Sequence, residues 1–298
     1  MVSIFDTHAH YDSKQYKEDM DEVLTKIHTT DEKVPGVGCV VNTGADIDSS
    51  RKSLELAGRY DFVYAAVGVH PDSAGELVFC EKKETAEENT DHEPEERKYI
   101  PEEICNKNMK ALKEMCEDTK TVAVGEIGLD YHWDIWPRAI QKEAFCRQWE
   151  LAIEKDLPVV IHSRDAAEDT LNIVKEFYKK NGHKSLKADM HCYSYSIEHA
   201  EEYLKMGLMF GIGGVVTFKN SKKLKEVVDL LPLERILLET DAPYMAPDPF
   251  RGKRNDSGLL RLVADKIAEI KGIDVKHVYE QTWENATRFF ARYGQGKQ

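Results

Sequence analysis

His8 and His10 stand two residues apart in Asp6-Thr7-His8-Ala9-His10, at the end of a short apolar run. Residues i and i+2 of a strand point to one face, so the two imidazoles can converge on one ion. The same placing recurs along the chain. His70 follows Ala66-Val67-Gly68-Val69, Glu126 lies between glycines in Val124-Gly125-Glu126-Ile127-Gly128, and His162 ends Val159-Val160-Ile161. His191 follows Met190, and Glu239 and Asp241 follow Leu237-Leu238. Each fragment alone reads as an ordinary strand end, His70 most of all. Together, imidazoles and carboxylates at the same end of successive strands make a poor core, because a buried unpaired charge is strongly unfavourable. Metal ions, or the groups themselves, must stabilise such a set. Imidazole with carboxylate, and no thiolate, selects Zn²⁺, Mn²⁺ or Mg²⁺ over iron–sulfur or copper(I) chemistry. His8, His10, Glu126, His162, His191 and Asp241 are more ligands than one ion needs, so two divalent ions sharing a bridging carboxylate is the economical arrangement.

The elements that must converge these residues can be read from hydropathy. Eight β-rich apolar runs occur: Ile4–His8, Val37–Thr43, Val63–Val69, Val122–Ile127, Pro158–His162, Lys187–His191, Met209–Gly213 and Ile236–Thr240. Continuous apolar runs suit strands buried on both faces. Helical spacing lies between them, as in Arg138–Asp156, with Phe145, Trp149, Ala152 and Ile153, and in Ala167–Asn181, which stops at Asn181-Gly182. Strand–helix alternation repeated about eight times predicts a (β/α)8 barrel, a TIM barrel, with its active site at the C-terminal ends of the strands. The alternative is an open doubly wound sheet, which the lack of a Gly-rich phosphate fingerprint after the first strand disfavours. Leu259–Gly272 and Val275–Tyr293 read as two amphipathic helices that close one domain spanning 1–298. One stretch breaks the pattern. Cys80–Glu103 holds ten acidic and four basic residues, with Pro94 and Pro101 and almost nothing apolar, and reads as a solvated insertion.

Composition limits what this site could act on. The formal net charge is −13, from 41 Lys+Arg against 54 Asp+Glu. That balance argues against coating nucleic acid through a broad basic surface, but not against a small metal-bearing cleft. The 41% hydrophobic content excludes a disordered chain. No run approaches the ~18–20 apolar residues of a membrane span, and Met1–Asp6 lacks the pattern of a secretory signal. Six cysteines without a C-x-x-C pair read as thiols in a reducing cytoplasm. No obligate protein partner is evident.

Seven stretches, in order, resemble the TatD family of metal-dependent deoxyribonucleases, within the amidohydrolase-like barrels. They are Phe5–Asp12 (FDTHAHYD), Ala66–Pro71 (AVGVHP), Val124–His132 (VGEIGLDYH), Val159–Ala166 (VVIHSRDA), His191–Ser194 (HCYS), Leu237–Pro247 (LLETDAPYMAP) and Phe250–Asn255 (FRGKRN). The resemblance implies that His8, His10, Glu126 and Asp241 hold one ion, and that Glu126, His162 and His191 hold a second, with Glu126 bridging. It implies hydrolysis of phosphodiesters at DNA strand ends, as a 3′–5′ exonuclease, with His70 near the substrate. Asp241 is then the best general base, and Glu239 a residue that orients a ligand. Arg164, Lys219, Arg251, Lys253 and Arg254 are candidates for phosphate, with Arg251 and Lys253 favoured. Two departures stand out: Tyr195 follows the HCYS stretch where the family commonly has Gly, and the acidic insertion is longer than in a compact member. Alternatives on the same barrel are an aminoacyl-tRNA esterase and a cyclic amidohydrolase. The latter commonly bridges its metals with a carbamylated lysine, and Glu126 stands in that place. A non-enzymatic binding barrel fits poorly with an intact ligand set.

Overall fold

A computed structural model of the 298-residue chain describes residues 3–29, 35–79, 100–182, 187–290 and 292–294. Its sheet runs β1 Ile4–Ala9, β2 Val37–Thr43, β3 Val63–Val67, β4 Thr121–Asp130, β5 Val159–Arg164, β6 Ala188–Met190, β7 Met209–Ile212 and β8 Ile236–Leu238. The strands are hydrogen-bonded in that order, and every neighbouring pair is parallel. The helices are α1 Met20–His28, α2 Ile47–Arg59, α3 Glu102–Met115, α4 Arg138–Glu154, α5 Ala167–Asn181, α6 Ile197–Met206, α7 Lys222–Leu230, α8 Leu260–Lys271 and α9 Val275–Phe289. This is the (β/α)8 barrel, not the open sheet. Most of the predicted insertion, Cys80 to Tyr99, lies outside the described residues; its predicted end, Glu102-Glu103, is the first turn of α3.

Alternation along the strands sorts side chains between two cores. On β3, Val63, Ala65 and Val67 pack outward towards the helices, while Tyr64 and Ala66 point into the barrel. On β5, Val159 and Ile161 face out and Val160 faces in. Both faces are buried, which is why these strands read as unbroken apolar runs. The outer shell is filled from the helices by residues such as Leu56, Phe145, Trp149, Val174, Val227 and Ile267. The inner core holds Phe5, Tyr64, Val122, Val160, Met209 and Leu237, and Phe289 and Phe290 at the end of α9 pack into it. The rings of Phe5 and Phe290 stack at 5.8 Å. The catalytic end of the barrel therefore lies opposite an aromatic plug.

Closure between β8 and β1 is made differently. Only one bridge, Ala9 with Ala242, joins their backbones in ladder fashion. Side chains complete the seam. Asp6 is fully buried and accepts bonds from the amides of His8 (3.2 Å) and Thr240 (3.1 Å) and from the hydroxyls of Thr240 (2.7 Å) and Ser257 (2.6 Å). The Thr7 hydroxyl donates to the Leu238 carbonyl at 3.0 Å. The Asp241 amide donates to the His8 carbonyl at 3.0 Å. The seam thus fixes the two strand ends that carry His8, His10 and Asp241.

Candidate metal centre

At the C-terminal mouth the predicted ligands converge on Glu126. Its Oε2 lies 3.5 Å from His8 Nε2 and 4.0 Å from His10 Nε2. Its Oε1 lies 2.7 Å from His162 Nδ1 and 3.8 Å from His191 Nε2. Asp241 Oδ1 is 3.4 Å from His10 Nε2, 4.0 Å from His8 Nε2 and 3.8 Å from His191 Nε2. The His8 and His10 Nε2 atoms face each other at 3.1 Å, and the His8 and His191 rings stack at 3.6 Å. All six predicted ligands are therefore brought to one cluster.

Glycines make room for it. A Cβ on Gly125 would stand 2.6 Å from Val160, and one on Gly128, whose φ is +147°, would stand 1.9 Å from the His162 carbonyl oxygen. Gly125 and Gly128 on either side let the β4 backbone that carries Glu126 approach β5 this closely.

The histidines are oriented from behind. His10 Nδ1 donates to the Thr43 carbonyl at 2.8 Å. His191 Nδ1 donates to Glu239 Oε2 at 2.9 Å, and the other oxygen of Glu239 takes the Cys192 amide at 2.6 Å. With Nδ1 engaged, Nε2 of each ring is the atom left facing Glu126 and Asp241, the usual arrangement of a metal-ligating histidine. A Cβ on Gly211 would stand 2.1 Å from Glu239, so this carboxylate occupies space that glycine leaves. Beneath it, burial and the charge of Glu239 push the Asp189 carboxyl well above its ordinary range.

The charges answer one another. Burial pushes Glu126 and Asp241 up, but the surrounding histidines prevail and hold both carboxyls below their ordinary values. Burial likewise opposes protonation of His10 and His162, yet their carboxylate neighbours raise each to about 9. Anionic oxygens and lone-pair nitrogens, neutralised by bound protons and aimed at a common centre, are a donor set that divalent cations fit.

Three findings go beyond the sequence expectations. Asp130 joins the site: its Oδ2 meets His162 Nε2 at 3.0 Å, and His70, Asp130 and His162 form a second group able to hold an ion. Burial pushes Asp130 up, but bonds from His162 and the amides of Trp133 and His132 hold it at about 2. Its position offered a signal, because Glu126 and Asp130 differ by an even number of residues on one strand. Second, the set is not free of sulfur. His191, Cys192 and Asp241 also group together, although burial pushes the Cys192 thiol up to about 12, so it remains protonated there. Third, Tyr195 is tied to the residues that follow His162. Its hydroxyl bonds Ser163 at 2.8 Å and takes the Ala166 amide at 3.2 Å, bracing the end of β5.

The remaining expected residues divide. His70 caps the short 3-10 helix Pro71–Glu76, taking the Asp72 amide on Nδ1, and its ring lies 4.2 Å from that of His162. Burial pushes it down to about 3, so it is neutral. Arg164 is exposed at the end of β5, and Lys253 is exposed on the loop after β8. Arg251 lies against the Phe218 ring at 4.5 Å. Arg254 is turned away: it makes two bonds to Asp19 (2.8 and 2.6 Å) and covers the Tyr16 ring.

Residues 5–291 match the family described as TatD related DNase. The chain belongs to the TatD-related DNase family. It is 39% identical over 287 residues to an uncharacterized metal-dependent hydrolase, YabD, of Bacillus subtilis (strain 168), covering 96% of this chain and 98% of that one. It is 30% identical over 294 residues to the 3′-5′ ssDNA/RNA exonuclease TatD of Erwinia tasmaniensis, covering 96% and 99%. The TatD homologue YJJV of Escherichia coli K12 superposes with a TM-score of 0.79 at 26% identity, covering 98% of this chain and 99% of that one. With its clustered histidines and carboxylates, this TatD-related chain is a metal-dependent hydrolase. No helix among its described residues is long and apolar enough to cross a membrane.

Proposed function

We propose that the chain is a two-metal exonuclease that hydrolyses phosphodiester bonds at the 3′ ends of single strands, with DNA as its substrate. One observation carries the two-ion assignment: the two oxygens of Glu126 face different histidines, Oε2 towards His8 and His10 and Oε1 towards His162 and His191. His8, His10 and Asp241 would complete one ion's ligands, and His162 and His191 the other's. Mg²⁺, Mn²⁺ or Zn²⁺ bound there would supply a water acidic enough to ionise near neutral pH and would offset phosphate charge. The chain's own contributions follow from placement. Asp241 stands at the edge of the cluster, where its carboxylate can take the proton of the attacking water. Glu239 holds His191 in one tautomer. His70, neutral and beside His162, is positioned to donate to a phosphate oxygen. Exposed Arg164 and Lys253, with Arg251, supply positive charge around the mouth. The strand-end polarity is supported by the named activity of the Erwinia relative.

The test is digestion of 3′- and 5′-end-labelled single-stranded DNA by purified protein, with and without Glu126→Ala. Mononucleotides should be released from the 3′ end, EDTA should abolish release, and a divalent ion should restore it. Glu126→Ala should lose at least about a thousandfold in rate while keeping its circular dichroism spectrum. Activity surviving exhaustive chelation, or a fully active and folded Glu126→Ala protein, would overturn the assignment. A matched digestion of aminoacyl-tRNA separates the esterase alternative by its product.

A further inference from the structure

The described residues expose six large hydrophobic side chains, and four of them are on two loops at the catalytic mouth. Trp133 (58% exposed) and Ile135 (43%) follow β4, and Tyr244 (52%) and Met245 (42%) follow β8. The other three tryptophans, Trp136, Trp149 and Trp283, are buried or half-buried. β4 and β8 are four strands apart in an eight-stranded closed order, so the two loops face each other across the ligand cluster.

Both loops are held rigidly. Asp130 Oδ1 takes the Trp133 amide at 3.0 Å, while its other oxygen contacts His162. On the far side, Asn255 donates to the carbonyls of Thr240 and Tyr244 at 2.9 and 2.8 Å. A Cβ on Gly214 would lie 2.0 Å from the Met245 carbonyl, so that backbone is packed tightly while the side chain stays outside. The Tyr244 ring is 6.5 Å from the ring of His10. Cations accompany the rings: the Arg164 guanidinium is 5.7 Å from the Trp133 ring, and Lys253 is 5.9 Å from Phe250 on the β8 loop.

We infer that Trp133 and Tyr244 are base-stacking residues, each taking a nucleobase on one side of the phosphate held at the metal centre. This rests on the nuclease function proposed above. Exposed aromatic faces interleaved with cations, rigid and on either side of a charged centre, suit unpaired nucleotides. Every base has a π-face, and the ring contacts need no particular sequence. A duplex keeps its bases stacked on one another and cannot offer them, so the pair would also favour single strands.

The experiment measures binding rather than turnover. Fluorescence anisotropy of a labelled twelve-nucleotide single strand, and of an abasic strand of equal length, both with cleavage-resistant phosphorothioate linkages, is recorded with the metal-loaded protein for wild type, Trp133→Ala, Tyr244→Ala and Trp133→Phe. Wild type should prefer the strand with bases. Each alanine variant should weaken that strand's binding by about tenfold and leave the abasic strand unchanged, and Trp133→Phe should retain much of the affinity. Thermal melts check that these surface changes leave the fold intact. Equal losses on both strands, or no preference in wild type, overturn the inference. So does a dimer by sedimentation that Trp133→Ala dissociates without changing strand binding, because the patch is then an interface between copies. A wild type that shows the base preference yet cleaves neither DNA nor RNA with any ion would instead count against the nuclease function alone.

Discussion

Glu239 shows how a residue outside the ligand list can govern the site. It takes the His191 Nδ1 proton on one oxygen and the Cys192 amide on the other. Glu239→Gln keeps the shape but lowers the basicity lent to His191. Metal affinity should fall about 10–100-fold with the fold preserved, measured by competition with a zinc-sensitive chelator. Gly211→Ala should reproduce the defect, because its new methyl would displace the same carboxylate. Unchanged affinity in both variants would remove Glu239 from the site's support. At this scale the six clustered residues are legible, because polar groups ending apolar runs are conspicuous. Asp130 was not singled out, since an Asp before a turn also reads as an ordinary cap; only the His162 contact distinguishes it. Arg254 shows the reverse: it reads as a phosphate candidate, but its partner Asp19 lies far away in sequence and no local pattern links them.

At the scale of elements, the β1–β8 seam gathers its side-chain hydrogen bonds on Asp6. Replacing Asp6 by Ala strands the donors of His8, Thr240 and Ser257 in a buried place. Loss of about 2–4 kcal/mol is expected in urea unfolding, together with weaker metal binding, because the ligands of β1 and β8 lose their alignment. Phe290→Ala provides the contrast. It opens a cavity in the plug at the other end of the barrel, at about 3–5 kcal/mol, and should leave metal affinity unchanged. If the two variants lose metal affinity equally, the seam has no special part in positioning ligands. Strand and helix positions were mostly visible in the sequence: β2 and α5 occupy the predicted ranges. The ends moved where hydrogen-bonded pairing, not hydropathy, sets them. β4 runs on to Asp130 because it pairs with β5 as far as Arg164, whereas β8 stops at Leu238 because its partner β7 ends at Ile212.

For the whole molecule, the −13 net charge and the metal centre set the response to salt. Few exposed cations surround the mouth, and ten acidic residues lie in Cys80–Glu103. Binding of a single strand should therefore fall shallowly with salt, with a log–log slope of about −1 to −2, corresponding to two or three phosphate contacts. Anisotropy titrations between low and physiological salt measure it directly. A slope near −5 or steeper would mean that an extended basic track, rather than a few cations at the mouth, holds the strand.

The sequence by itself determined the barrel, the metal-type chemistry and the six groups at its mouth. Unbroken apolar runs report which strands are buried on both faces, and barrel topology then forces their C-terminal ends together whatever the loops do. Only the tertiary structure decided which atoms meet: Glu126 between two pairs of histidines, Asp130 on His162, and the Tyr195 hydroxyl on Ser163. Those pairings join residues tens to hundreds of positions apart. They depend on strand register, closure and side-chain packing, none of which leaves a mark on local spacing.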